Sequence, residues 1–138
     1  MISAPGTKSG MGKTRIFEFK FDPLYRAAGV LFGITPGTTL VRVTDWNFTV
    51  IFGPWRLTTA RSNIRSTAVT GPYKTLKTIG PPHLSLADRG LTCATNAQQG
   101  LCVQFAEPVP GIEPTGLLRH PGVTVTVADC AGLAAALA

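Results

Sequence analysis

Thr39-Leu40-Val41-Arg42-Val43-Thr44-Asp45-Trp46-Asn47-Phe48-Thr49-Val50-Ile51-Phe52 is the stretch that decides the fold. Val41 and Val43 alternate with Arg42 and Thr44, and Phe48, Val50 and Phe52 alternate on the return. Period-2 spacing puts every second side chain on one face of a strand. Pairing Val43 with Phe48 across an Asp45-Trp46 turn sets Val41 opposite Val50, so the two apolar faces coincide. A slip of one residue would turn one of them to solvent. The stretch predicts a β-hairpin with one buried face.

The same period continues on both sides. After Gly53-Pro54, Trp55-Arg56-Leu57-Thr58-Thr59 resumes the alternation as a further strand, with Arg56 facing solvent. Upstream, Phe17, Phe19 and Phe21 fall on one face of a strand that begins near Arg15. Asp22-Pro23 then fits an N-cap followed by proline at the first helical position, opening a short helix to about Ala28. Downstream, Ala68-Val69-Thr70 reads as a short strand. His83 to Ala87 and Leu91 to Thr95 read as a hairpin around Asp88-Arg89-Gly90. Leu101 to Phe105 follows as its next neighbour, with Cys93 opposite Val103 and Cys102 on the other face, so no disulfide joins Cys93 to Cys102. A proline-rich loop over 106–122 leads to Val123-Thr124-Val125-Thr126-Val127. Asp129 then caps a short Ala/Leu helix that ends at Ala138.

The expected fold is therefore mainly β: a single antiparallel barrel or orthogonal sandwich with one short helix near each end. Residues 1–13, rich in Gly, Ser and Lys and aperiodic, are expected to be a disordered tail, with residues 14–138 the one domain and Met11 a candidate start. At 138 residues with 44% hydrophobic content, the chain is long enough to bury one core without metals or disulfides. Its 15 glycines and 11 prolines suit many turns between short strands.

Several classes of function fall away. The longest apolar run, Ala27 to Ile34, is well short of the ~20 residues of a membrane-spanning helix. The first residues lack the positive start and apolar core of a secretory signal. Three cysteines, Cys93, Cys102 and Cys130, form an odd set without CxxC spacing. A cytoplasmic protein, with peripheral membrane attachment as the variation, is expected, and in that compartment the sequon Asn47-Phe48-Thr49 carries no glycan. His83, His120 and the cysteines lack paired zinc-ligand spacing. No G-x-S-x-G is present and the seven acidic residues are scattered, so no nucleophile or acid–base pair is indicated.

Lys8-Ser9-Gly10-Met11-Gly12-Lys13-Thr14 resembles the variant phosphate-binding loop of ParA-like ATPases. That chemistry needs a buried strand before the loop and a helix after it, so that the helix N-terminus meets the phosphates. Here the phenylalanine strand follows Thr14. An NTPase acting through Lys13 and Thr14 is therefore not expected, nor is any cofactor.

Charge is the remaining signal. The chain carries +6 from 13 basic and 7 acidic residues, and from Trp46 to Ala87 there is no Asp or Glu. Arg56, Arg61, Arg65, Lys74 and Lys77 lie in that interval as candidates for one anion-facing surface. No dense Lys/Arg run accompanies them, so nucleic acid is not the expected partner.

The step Phe48-Thr49-Val50-Ile51-Phe52-Gly53-Pro54-Trp55 leading to Asn63-Ile64, together with the ending Val123–Val127, Asp129 and a terminal helix, resembles bacterial PH-like domains over roughly residues 39–138. The resemblance implies two nearly orthogonal sheets closed by the terminal helix, which would bury Leu133 and Leu137. The order strand, helix, sheet, helix also fits the helix-grip ligand-binding folds. The first implies a non-catalytic binding or scaffolding module that docks a protein, an acidic peptide or an anionic lipid surface. The second implies a carrier of a small apolar ligand, lined by Phe17, Phe19, Phe48, Val50 and Phe52.

Overall fold

A computed structural model describes residues 14–71, 83–84, 91–96, 98–111 and 119–138. The expected tail, Lys74, Lys77 and the Asp88-Arg89-Gly90 turn lie outside them. In chain order the elements are β1 (Arg15–Phe17), α1 (Pro23–Val30), β2 (Thr39–Val43), β3 (Asn47–Phe52) and β4 (Trp55–Ala60). A single 3-10 turn (Arg61–Asn63) leads to β5 (Ile64–Thr70), β6 (His83–Leu84), β7 (Leu91–Cys93), β8 (Gly100–Pro110), β9 (Arg119–Val125) and α2 (Cys130–Leu137). The strands form two sheets, β1-β2-β3-β4 and β5-β8-β9-β7-β6.

The deciding hairpin has the expected register, Val43 opposite Phe48 and Val41 opposite Val50. Its turn is held by Thr44, whose hydroxyl accepts from the N–H groups of Trp46 and Asn47 at 3.2 and 2.9 Å. The β3–β4 turn is tight because Gly53 takes φ 62°, a value open to glycine at little cost, and Pro54 follows it. Phe52 then pairs with Trp55 and Val50 with Leu57. Val41, Val43, Phe48, Val50, Phe52 and Leu57 all point inward and are buried.

The second sheet departs from expectation. β7 and β8 are not a hairpin; β9 lies between them, parallel to β7 and antiparallel to β8. Val125 stands opposite Cys93 on one side and Leu101 on the other. Local polar chemistry explains why β7 stops early. Thr95 N–H donates to the Thr126 hydroxyl at 2.8 Å, and Asp22 N–H donates to the Thr95 carbonyl at 2.9 Å. Both groups are thereby withdrawn from any ladder with β8. The β6–β7 pairing sets His83 opposite Thr92 and Leu84 opposite Leu91. The sheet is mixed, so of the expected antiparallel barrel or orthogonal sandwich the described residues show two sheets and no closed barrel.

Pro121, which belongs to β9 and not to the expected loop, has no N–H to give. Opposite it β8 swells: Gln104 pairs with Gly122 and Val109 with His120, so β8 residues 105–108 face one proline. Asn63 repairs part of the gap. Its side chain accepts from Glu107 N–H at 2.8 Å and donates to Glu107 C=O at 2.9 Å, standing in for a backbone partner.

The inner faces meet in one core. Phe48 lies 6.4 Å from Phe105 across the sheets, and Phe19 lies 5.3 Å from Phe52. The β1 segment stitches the sheets together: Phe17 pairs with Val41, while Phe19 bridges to Val127 of the other layer. Asp129 caps α2 as expected, accepting from Gly132 N–H at 2.9 Å. Asp22 makes no side-chain cap on α1, which relies on Pro23 alone. Leu133 of α2 is fully buried and Leu137 packs at the edge of the core.

Candidate functional site

Outward-facing residues of the β1–β4 sheet follow from the same alternation that buries its other face. The registers place Ile16, Arg42, Thr49 and Thr58 in one row across the four strands, and Leu40, Ile51 and Arg56 in the next. Thr58 donates to Thr49 at 3.2 Å, which fixes the hydroxyls at the centre of the face. Arg56 is exposed and Arg42 half-buried, beside the half-buried Leu40 and Ile51. None of the four strands carries a carboxylate. Strands lie about 4.8 Å apart, so Arg42 on β2 and Arg56 on β4 stand two strands apart on the same face. Together they suit an extended or repeating anion.

Of the five expected basic residues, Lys74 and Lys77 lie outside the described residues, and the structure places the other three apart. Arg56 is on this face, whereas Arg65 is exposed at the bulge of β5 in the other sheet. Arg61 is a structural cation: its guanidinium donates to Thr44 C=O at 3.3 Å and to Ala136 C=O at 2.6 Å. It ties the hairpin tip to the last turn of α2, where unpaired carbonyls and the negative end of the helix dipole favour a cation. Arg61→Ala is expected to cost about 1–3 kcal/mol, the scale of a charge-assisted bond to a partly buried group. It should also accelerate hydrogen exchange in α2. Urea titration with exchange mass spectrometry measures both. An unchanged midpoint would remove Arg61 from this role.

Arg42 is the residue that sequence reading passed over. Its position between Val41 and Val43 carries the same alternation that places Arg56 in solvent, but it lies before Asp45 and so outside the acid-free interval. Arg15 is also basic and exposed, but its guanidinium lies 5.6 Å from the Phe17 ring centre and covers the core edge.

Other candidate chemistry is dispersed. Cys93, Cys102 and Cys130 are free thiols. Burial raises the pKa of Cys93 far above the ordinary thiol value, and burial, with Asp129 beside it, raises that of Cys130, which keeps both protonated and poorly nucleophilic. His120 is fully buried in β9 rather than in a loop, and His83 lies in β6, the outermost strand of its sheet. Among the described residues no three His, Cys, Asp or Glu side chains come together as metal ligands. Thr14 runs straight into β1, so the helix that a phosphate loop requires does not follow it. A shallow groove of about 530 Å³ runs between Thr58, Thr59, Ser62 and Asn63 on one wall and residues 106–110 on the other. Among the described residues no helix is long and apolar enough to cross a membrane. No protein-family model, curated protein or solved structure that was compared with the chain matches it.

Proposed function

We propose that the chain is a non-catalytic binding module that docks an anionic partner on the outer face of the β1–β4 sheet. The observation that carries this reading is the juxtaposition of Arg42 and Arg56 with Ile16, Leu40 and Ile51 on strands that hold no carboxylate. Aliphatic neighbours lower the local dielectric and strengthen each arginine's pull on an anion, and the net charge of +6 steers such a partner inward. The PH-like resemblance and the two-sheet arrangement agree with a docking role. The carrier reading has less support, because Phe17, Phe19, Phe48, Val50 and Phe52 pack into a single core cluster with their neighbours.

Retention on immobilised heparin tests the proposal. The double variant Arg42→Glu/Arg56→Glu is expected to elute at distinctly lower salt than wild type. The charge-matched Arg65→Glu/Arg119→Glu, on the other sheet, should shift elution much less. Equal shifts from the two pairs would mean that net charge alone binds and would overturn the assignment to this face.

A further inference from the structure

We infer that the tip formed by α1 and its exit turn inserts into an anionic membrane surface, with the arginine face providing the electrostatic half of the contact. This inference rests on the docking reading above and names its partner.

The helix Pro23-Leu24-Tyr25-Arg26-Ala27-Ala28-Gly29-Val30 is apolar on nearly every side. One side, Tyr25 and Gly29, is buried against the domain. The opposite side is not buried: Leu24 is 60% exposed, Val30 62%, Leu31 83% and Phe32 42%. A surface helix ordinarily turns polar residues outward, and a contiguous apolar patch on a soluble domain marks a place where something docks. Leu31, Phe32 and Gly33 form the exit turn, whose N–H groups return to Ala28, Gly29 and Val30 carbonyls at 3.2, 2.9 and 3.2 Å. The apolar residues are therefore held outward by a hydrogen-bonded turn.

Charge selects the occupant. Between Asp22 and Asp88 the sequence contains a single carboxylate, Asp45, and that residue lies at the β2–β3 turn. The exit turn of α1 leads, by way of Ile34 and Thr38, against the β3–β4 turn, where Gly53 N–H donates to Thr38 C=O at 3.0 Å. Arg56 follows two residues after Pro54, and Arg26 sits on the helix itself; both are exposed. The N-cap acid Asp22 stands at the end of α1 away from the exit turn, and an apolar exit turn flanked by arginines matches the boundary between acyl chains and anionic headgroups. A second copy of the chain fits less well, since it would bring the same arginines together without a compensating acid.

The test uses vesicles of phosphatidylcholine mixed with phosphatidylserine, against phosphatidylcholine alone, with the full chain. Wild type is expected to co-sediment with the mixed vesicles only. In a Trp46→Phe background, Trp55 beside the β3–β4 turn should be quenched by brominated acyl chains, and in a Trp55→Phe background, Trp46 at the far end of the hairpin should not. Leu31→Asp and, independently, Leu24→Asp are expected to weaken partitioning by about tenfold, the scale of withdrawing a leucine side chain from an apolar medium. Heparin retention and the melting curve should stay unchanged. Vesicle affinity within about twofold of wild type in both variants would overturn insertion while leaving the docking reading intact. So would heparin retention without vesicle binding, or a dimer that Leu31→Asp dissolves. Loss of wild-type retention on heparin and on mixed vesicles alike would sink both readings.

Discussion

Replacing Phe48 by alanine is expected to lower the unfolding free energy by about 3–5 kcal/mol, the range for deleting a buried aromatic ring. Phe48 has no exposed surface. It stands on the inner face of β3 opposite Val43 and Thr59, and its ring reaches Phe105 of the other sheet at 6.4 Å. The side chain thus spans the space between the layers, and neither sheet can close over its loss without shifting all its strands. Since a domain of this size is stable by about 5–15 kcal/mol, the variant should be marginal at best. Urea denaturation followed by far-ultraviolet circular dichroism measures the loss. Trp46→Ala is the matched control: Trp46 is 78% exposed, and its removal should change stability by no more than about 0.5 kcal/mol. A Phe48→Ala loss below about 1 kcal/mol would be incompatible with the packing between β3 and β8.

Asn96→Ala is expected to have the next largest effect, about 2–3 kcal/mol, for a different reason. Asn96 is almost wholly buried. Its amide donates to Lys20 C=O at 2.8 Å and Thr126 C=O at 3.4 Å, and its oxygen accepts from Gln98 and Gln99 N–H at 3.0 and 3.2 Å. Thr95 completes the cluster, donating to Lys20 C=O at 2.6 Å and sharing a hydrogen bond with the Thr126 hydroxyl at 2.9 Å. Three distant parts of the chain, at residues 20, 96 and 126, are joined there. Alanine would leave their polar groups without partners in a dry setting, which is where the cost arises. Asn96→Asp separates acceptor from donor chemistry. As a neutral acid its O–H can still donate to Lys20 C=O, whereas the carboxylate, buried and keeping the Gln98 and Gln99 N–H groups on one oxygen, turns its other oxygen against the Lys20 and Thr126 carbonyl oxygens. Its folded pKa is therefore raised, the folded form holds the proton more tightly than the unfolded chain, and stability falls as pH climbs above the free carboxyl value of about 3.9. Thermal melts of the two variants between acid and neutral pH provide the check. A pH-independent Asp variant would show that the amide does not donate inward.

What could be read from the chain was local. The hairpin over residues 39–52, its strict register, β4 after Gly53-Pro54 and the Asp129 cap of α2 each depend on neighbours within a few residues. Periodicity, turn chemistry and capping act at that range. Periodicity tells a strand which face to bury and is silent about which strand lies beside it. Leu91, Cys93, Leu101, Val103, Val123 and Val125 all satisfy the same alternation, so the β7–β8 hairpin and the arrangement actually formed, with β9 between them, bury the same residues. The choice is made by the bonds of Thr95 and Asn96 to Thr126, which span 30 or more positions, beyond the reach of pattern. Arg61 illustrates the same limit at the candidate site. As a residue type in an acid-free interval it looked like a docking cation, and only the approach of α2, 75 positions downstream, turns it inward. Arg56 and Arg42 kept their exposure because flanking apolar residues on their own strands set it.

The crossing of the β1 segment from one layer to the other has a consequence for biosynthesis. Phe19 and Lys20 find their partners at Val127 and Thr126, separated by more than a hundred positions of chain. Such a contact is closed only after a large loop has lost its freedom, and topologies built on distant pairings assemble slowly. A nascent chain that has emerged only as far as β4 has the inner phenylalanines of the first sheet made but not the β8 and β9 strands that cover them, and in that interval its apolar face is open to aggregation.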